Sequence, residues 1–194
     1  AYVCLGTNIS SRMENPVLTT VKQCLLNGEV TVSDADGIHL QEQGTRTKKE
    51  VRWVVHDKVG YYFLQKENVV LSNQRMEGSW KIANRQTTVP ADIVRQDVFT
   101  LSIDHGQSPD NGGYAYMVIP SVDSRSVENR VEEEGAVVLA NSSELQAVRH
   151  DGLNMAYAVF YKGGTLRIND KIAVEIESPG MLMMKYNDCL LYTS

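Results

Sequence analysis

The sequence predicts an all-β protein, an antiparallel β-sandwich followed, across a charged hinge, by a second β unit. Three observations carry this. Short runs rich in Val, Ile, Thr, Tyr and Phe recur along the chain, and several alternate apolar with polar residues as half-buried strands do. Clusters of Gly, Asn, Asp and Pro separate these runs at intervals of about 8–12 residues, the spacing of a sandwich. One stretch, residues 123–134 (DSRSVENRVEEE), is charged and free of Gly and Pro, which divides the strands into two groups.

In chain order, Val3–Leu5 is a short apolar run ending at Gly6. Residues 17–26 (VLTTVKQCLL) are rich in β-branched side chains and meet Asn27-Gly28. Both residues of that dipeptide tolerate positive φ, so it predicts a hairpin with 29–33 as the return strand. Asp34-Ala35-Asp36-Gly37 resembles the start of a calcium loop, but the later ligand positions are wrong, and a turn is expected. Residues 41–50 (QEQGTRTKKE) predict a solvated loop. Residues 53–63 (WVVHDKVGYYF) predict a hairpin turning at Asp57-Lys58-Val59-Gly60, with Gly60 supplying the awkward backbone angle. Val54 and His56 then share one face, Trp53 and Val55 the other, and Tyr61 and Tyr62 fall on opposite faces. A separate strand at 68–72 follows, then MEGSWKIA around Trp80 and a polar loop, 86–92, holding Pro90. Val98–Ile103 alternates as a half-buried strand, DHGQSPDNGG (104–113) is a turn-rich connector, and Tyr114–Ile119 is a strand ending at Pro120. In the hinge, Ser124 or Ser126 would cap a short helix with Glu in its first turn. Beyond it, 136–140, 145–149, 155–161, 166–168 and 172–176 are strand candidates, with Lys162-Gly163-Gly164 as a hairpin turn between the third and fourth.

The 194 residues suffice for one large domain or two small ones with a real core. A net charge of −5 argues against a nucleic-acid partner, whose binding surface would be basic. No run of about 18 apolar residues exists, and no membrane partner is expected. The opening AYVCLGTNIS lacks the basic and apolar regions of a signal peptide. Without an initiating Met, and opening directly on strand-like residues, the chain is expected to be a piece of something longer. The last six residues, CLLYTS, resemble one reading frame of a transposase sequencing adapter, so 189–194 are set aside as an artefact. Cys4 and Cys24 then remain; without CxxC spacing they are expected to be buried free thiols.

Candidate chemistry is sparse. His56 with Tyr61 and Tyr62 has the residue types of an acid/base site, but aromatic packing around a hairpin is the reading the spacing favours. His39, His105 and His150 match no metal-ligand spacing, so neither a metal nor another cofactor is expected. Neither a nucleophile elbow nor a phosphate loop occurs. Glu132-Glu133-Glu134 reads as a solvated helix face, and Asn8-Ile9-Ser10 and Asn141-Ser142-Ser143 are glycosylation sequons by pattern. Trp53 and Trp80 have the chemistry to stack on sugar rings, although both are expected in the core.

Seven segments, in order, carry a resemblance: LGTNI (5–9), PVLTTVKQ (16–23), WVVHDKVGYYF (53–63), GSWKIAN (78–84), DHG (104–106), GYAYMVIP (113–120) and ANSSELQAVRHDGLNMAYAVFYKGG (140–164). Together the chain resembles the C-terminal half of the family 8 polysaccharide lyases, which act on chondroitin, hyaluronan and xanthan. The resemblance implies that residues 1–122 are the last part of a central β-sandwich, an incomplete supersandwich. It implies a charged hinge or short helix at 123–135 and a second, smaller, truncated β-sandwich at 136–188. It also implies β-elimination on an acidic polysaccharide, with Tyr and His moving protons and Asn neutralising the uronate carboxylate. In that family the catalytic set lies in an N-terminal helical domain. The resemblance therefore assigns no catalytic, cofactor or metal residue to this chain, makes that helical domain its partner, and implies an extracellular or periplasmic location.

Overall fold

The computed structural model describes residues 1–84 and 86–186, so the expectation for 189–194 lies outside the described residues. The strands are β1 (Tyr2–Ile9), β2 (Pro16–Leu25), β3 (Val30–Asp34), β4 (Gly37–Leu40), β5 (Gly44–His56), β6 (Val59–Gly78), β7 (Val94–Gln107), β8 (Gly112–Pro120), β9 (Ala136–Asn141), β10 (Leu145–His150), β11 (Met155–Phe160), β12 (Gly164–Arg167), β13 (Ala173–Ile176) and β14 (Gly180–Lys185). Two short helices accompany them, α1 (Trp80–Ala83) and α2 (Val127–Glu134). The first eight strands form one antiparallel sheet in the order β1-β8-β6-β5-β3-β4, with β7 joining β6 to β2. A four-stranded sheet, β14-β11-β10-β9, and the β12–β13 ribbon form the second unit. Among the described residues, no helix is long and apolar enough to cross a membrane.

Strand alternation sorts the core. Val54, Tyr61, Phe63, Leu71, Phe99 and Leu101 build one buried cluster on the inner face of the large sheet. Trp53, Val55, Met117 and Ile119 build another on the opposite face, closed by Val122 and by Val127 of α2. The two faces expected of 53–62 are those observed. Ala147, Ala156, Ala158, Phe160 and Leu166 fill the third core, between the small sheet and its ribbon.

Local turn signals and actual pairing part company at several places. Asn27-Gly28 does not close a hairpin: β2 pairs with β7, and β3 pairs with β4 and β5, so the dipeptide lies on a crossover. The β5–β6 turn is the two-residue Asp57-Lys58, with φ of +48° and +61°, the left-handed pair that a tight hairpin requires. Gly60 is a strand residue instead. A Cβ there would lie 2.9 Å from Val122 and 3.0 Å from Val127, so glycine is needed for close approach. Residues 44–50, expected as loop, belong to β5 because the ladder with β6 organises their backbone while most of their side chains remain in solvent. The strands expected at 61–64 and 68–72 are one, β6, which pairs with β8 over its first residues and with β7 from Val69 onward. β7 likewise runs on to Gln107, through part of the expected connector.

Lys162-Gly163-Gly164 makes no hairpin either, because β11 pairs with β10 and β14 whereas β12 pairs with β13. β14, GMLMMK, was not foreseen, since its methionines carry no strand signal. The turn before α2 is closed by Asp123, whose Oδ1 accepts hydrogen bonds from the backbone N–H of Arg125 (3.0 Å) and Ser126 (2.9 Å). Ser126 occupies the cap position but donates its hydroxyl to Asp123 Oδ1 (2.8 Å).

Candidate functional site

The hairpin histidine is built into the core. His56 ends β5 and is 2% exposed. Its ring stacks on Phe99 at 4.3 Å between centroids. Nε2 accepts a hydrogen bond from the Asn27 backbone N–H (3.0 Å), which leaves the ring proton on Nδ1, facing Cys24 Sγ at 3.8 Å. Burial holds its pKa below the ordinary value; Asp57 opposes this and Lys22 adds to it. The neutral ring therefore uses both nitrogens inside the protein. Burial likewise pushes the Tyr61 phenol upward, away from any role as a base at neutral pH. Cys4 and Cys24 are free and partly buried.

The other histidines are dispersed. His39 Nε2 accepts from Lys48 Nζ (2.9 Å), and Asp34 Oδ2 lies 3.4 Å from each. The DADG carboxylate is thus spent on a lysine and on its own turn, where Oδ1 accepts from Asp36 N–H. His105 faces the Thr19 hydroxyl (2.8 Å), and its pKa is lowered by burial. His150 lies 3.7 Å from Glu134, so only Glu132 and Glu133 of the acidic trio are fully exposed. Of the two sequons, Asn141 is committed, because its Nδ2 donates to Gly6 O and Tyr114 O, both at 3.1 Å. No local pattern in the sequence marks Glu67. Burial raises its carboxyl to about 7, and only the completed sheet reveals that environment.

The tryptophans separate. Trp53 is fully buried, and its indole N–H donates to Glu128 Oε1 (3.1 Å), tying α2 to the large sheet. Trp80 is 67% exposed, contrary to expectation. The reason lies in the pairing. β5 leaves β6 at Asn73 and β2 leaves β7 at Val98, and after a last bond from Leu26 N–H to Asp97 O (2.8 Å) residues 74–78 and 94–97 continue as a two-stranded ribbon of roughly 16 Å. Cross-strand pairs Arg75–Asp97 (3.1 Å) and Arg95–Glu77 (2.5 Å) hold it. The ribbon ends in α1, begun by Ser79, whose Oγ accepts from Lys81 N–H (3.3 Å). Among the described residues no second layer covers this tip, and Met76, Trp80, Ile82 and Ile93 all meet solvent. The exposed indole offers a flat apolar face to a ligand.

The family profiles align with both units. Residues 1–131 match the polysaccharide lyase family 8 super-sandwich domain, and residues 137–189 match the family's C-terminal beta-sandwich domain. A chondroitinase-AC of Pedobacter heparinus is 36% identical over 184 residues, covering 95% of this chain and 26% of that enzyme. A xanthan lyase of a Bacillus species is 26% identical over 174 residues, covering 84% of this chain and 19% of its own length. Among solved structures, chondroitinase AC lyase from its oligosaccharide complexes has a TM-score of 0.84 at 36% identity, over 94% of this chain and 27% of its own. Paenibacillus xanthan lyase has a TM-score of 0.82 over 96% of this chain and 19% of its own; at 24% identity that likeness speaks for the fold. Both units, in order and in three dimensions, thus have their counterparts in one group of enzymes, and the chain belongs to polysaccharide lyase family 8.

Proposed function

We propose that this chain is the C-terminal β region of a secreted or periplasmic bacterial lyase that cleaves chondroitin, hyaluronan or a related uronic-acid polymer by β-elimination. The observation that carries this reading is the 36% identity to a chondroitinase across 95% of the chain. Residues 1–122 are the end of the central domain, 123–135 the hinge, and 136–188 the start of the C-terminal domain. The proton at C5 of a uronic acid is weakly acidic, so its removal needs a positioned base and a stabilised carboxylate. On this reading those groups belong to a helical domain, and this chain spans 26% of the chondroitinase it is similar to. The β region then supports that domain and contacts the polysaccharide. The Trp80 tip suits the contact, since an exposed indole has the flat apolar face that stacks on a sugar ring.

Two measurements test this. The chain alone should produce no ultraviolet-absorbing unsaturated sugar from chondroitin or hyaluronan. Turnover abolished by His56→Ala would refute the division of labour. In the longer enzyme, Trp80→Ala should raise KM several-fold with kcat little changed, whereas an unchanged KM would remove the tip from the binding surface. The second reading, a stand-alone carbohydrate-binding or purely structural β-sandwich, rests on the same exposed indole. It predicts saturable binding by the isolated chain, lost in Trp80→Ala, or no binding at all.

A further inference from the structure

We propose that Asn27-Gly28, on the crossover between β2 and β3, is a self-modifying site at which Asn27 deamidates and thereby cuts the tie between this crossover and the β5–β6 turn. The chemistry needs only the chain and water. The Gly28 backbone nitrogen attacks Asn27 Cγ; the N–Cγ bond forms, the Cγ–Nδ2 bond breaks, and ammonia departs carrying the proton lost by Gly28. Water then opens the succinimide at either carbonyl, giving aspartate or isoaspartate. Glycine after asparagine favours this because no Cβ obstructs the approach.

The fold selects between two copies of the same dipeptide. Asn27 and Gly28 are both exposed and lie outside any strand, Gly28 has φ +75°, and nothing lies within 4 Å of where its Cβ would be. Asn111-Gly112 is held instead. Gly112 opens β8 opposite Ile9, and its Cβ position is 3.4 Å from Ile9 O and 3.6 Å from His105 Nδ1. Ring closure requires the backbone to swing, which the crossover permits and the strand resists.

The consequence follows from what Asn27 holds. Its Nδ2 donates to Asp57 Oδ1 (2.8 Å), and its backbone N–H donates to His56 Nε2 (3.0 Å). Deamidation replaces that donor with a carboxylate facing a carboxylate. Isoaspartate, with its extra main-chain carbon, also displaces the N–H from His56.

Incubation of the chain in mildly alkaline buffer, followed by tryptic mapping, tests this. Cleavage after Lys22 and Arg46 yields a peptide in which Asn27 is the sole asparagine, and cleavage after Arg95 and Arg125 yields one in which Asn111 is. The amide-to-acid mass change and isoaspartate should accumulate several-fold faster at Asn27. The two sites should converge in denaturant, and Asn27→Gln should abolish the change in its peptide. Equal or faster conversion at Asn111 in the folded chain, or a difference that persists in denaturant, would overturn the proposal. Asn27→Asp should lower the melting midpoint, and a midpoint at or above that of the parent chain would overturn the link to Asp57.

Discussion

Burial places the Glu67 carboxyl, on strand β6, at about 7. It shares the inward parity of Phe63 and Val69 in β6 and stands opposite the fully buried Val51. Between the ordinary 4.5 and about 7 the folded chain keeps a proton that the unfolded chain releases, so this group lowers stability as pH rises through that window. Glu67→Gln should therefore stabilise the protein by about 1–3 kcal/mol above pH 7, after allowance for partial solvation. The gain should vanish at pH 4.5, and denaturant midpoints at the two pH values check it. His56 acts in the opposite sense. Its folded pKa lies below 6.5, so its contribution is present above that pH and is lost as pH falls through it. A melting midpoint that drops on acidification below 6.5, less steeply in His56→Phe, is the expected profile.

At the scale of elements, turns and close contacts decide more than propensity. Lys58 holds a left-handed conformation, φ +61°, that glycine adopts without steric cost. Lys58→Gly should therefore stabilise the β5–β6 hairpin by roughly 0.5–1 kcal/mol. Two positions later the same substitution logic reverses. Gly60→Ala forces a methyl group against Val122 and Val127 and should cost about 1–3 kcal/mol. Chemical denaturation of the two variants gives the two signs. The aromatic and β-branched runs made most of these strands legible in the sequence. The first half of β5 was not, because a polar strand supported by its neighbour carries no apolar alternation. Asn27-Gly28 misled for a related reason, since a turn dipeptide sets local backbone angles and says nothing of which strand pairs with which.

For the whole molecule, a side chain that reads as a sequon bridges the two β units. Asn141, at the end of β9, bonds the main chain of β1 and β8, and its Oδ1 accepts from Gln146 Nε2 (2.9 Å). Asn141→Ala removes both of these part-buried hydrogen bonds and should cost about 1–3 kcal/mol. It should also broaden or split the thermal transition in calorimetry as the units uncouple. The Trp80 ribbon belongs to the same scale: its exposure results from where β5 and β2 stop, not from anything in GSWKIAN.

By itself the sequence determined most of the strands, the charged break between two β units, the two faces of WVVHDKVGYYF and the resemblance to a lyase family. Each is written in local residue pattern or in the order of motifs. The tertiary structure alone decided that His56 is sealed against Phe99, that Trp80 is in solvent while Trp53 is not, that Glu67 titrates near neutrality, and that two identical Asn-Gly dipeptides have different freedom. These depend on which strands lie beside and above a residue. Pairing across dozens of residues sets that burial, and no short window of sequence contains it.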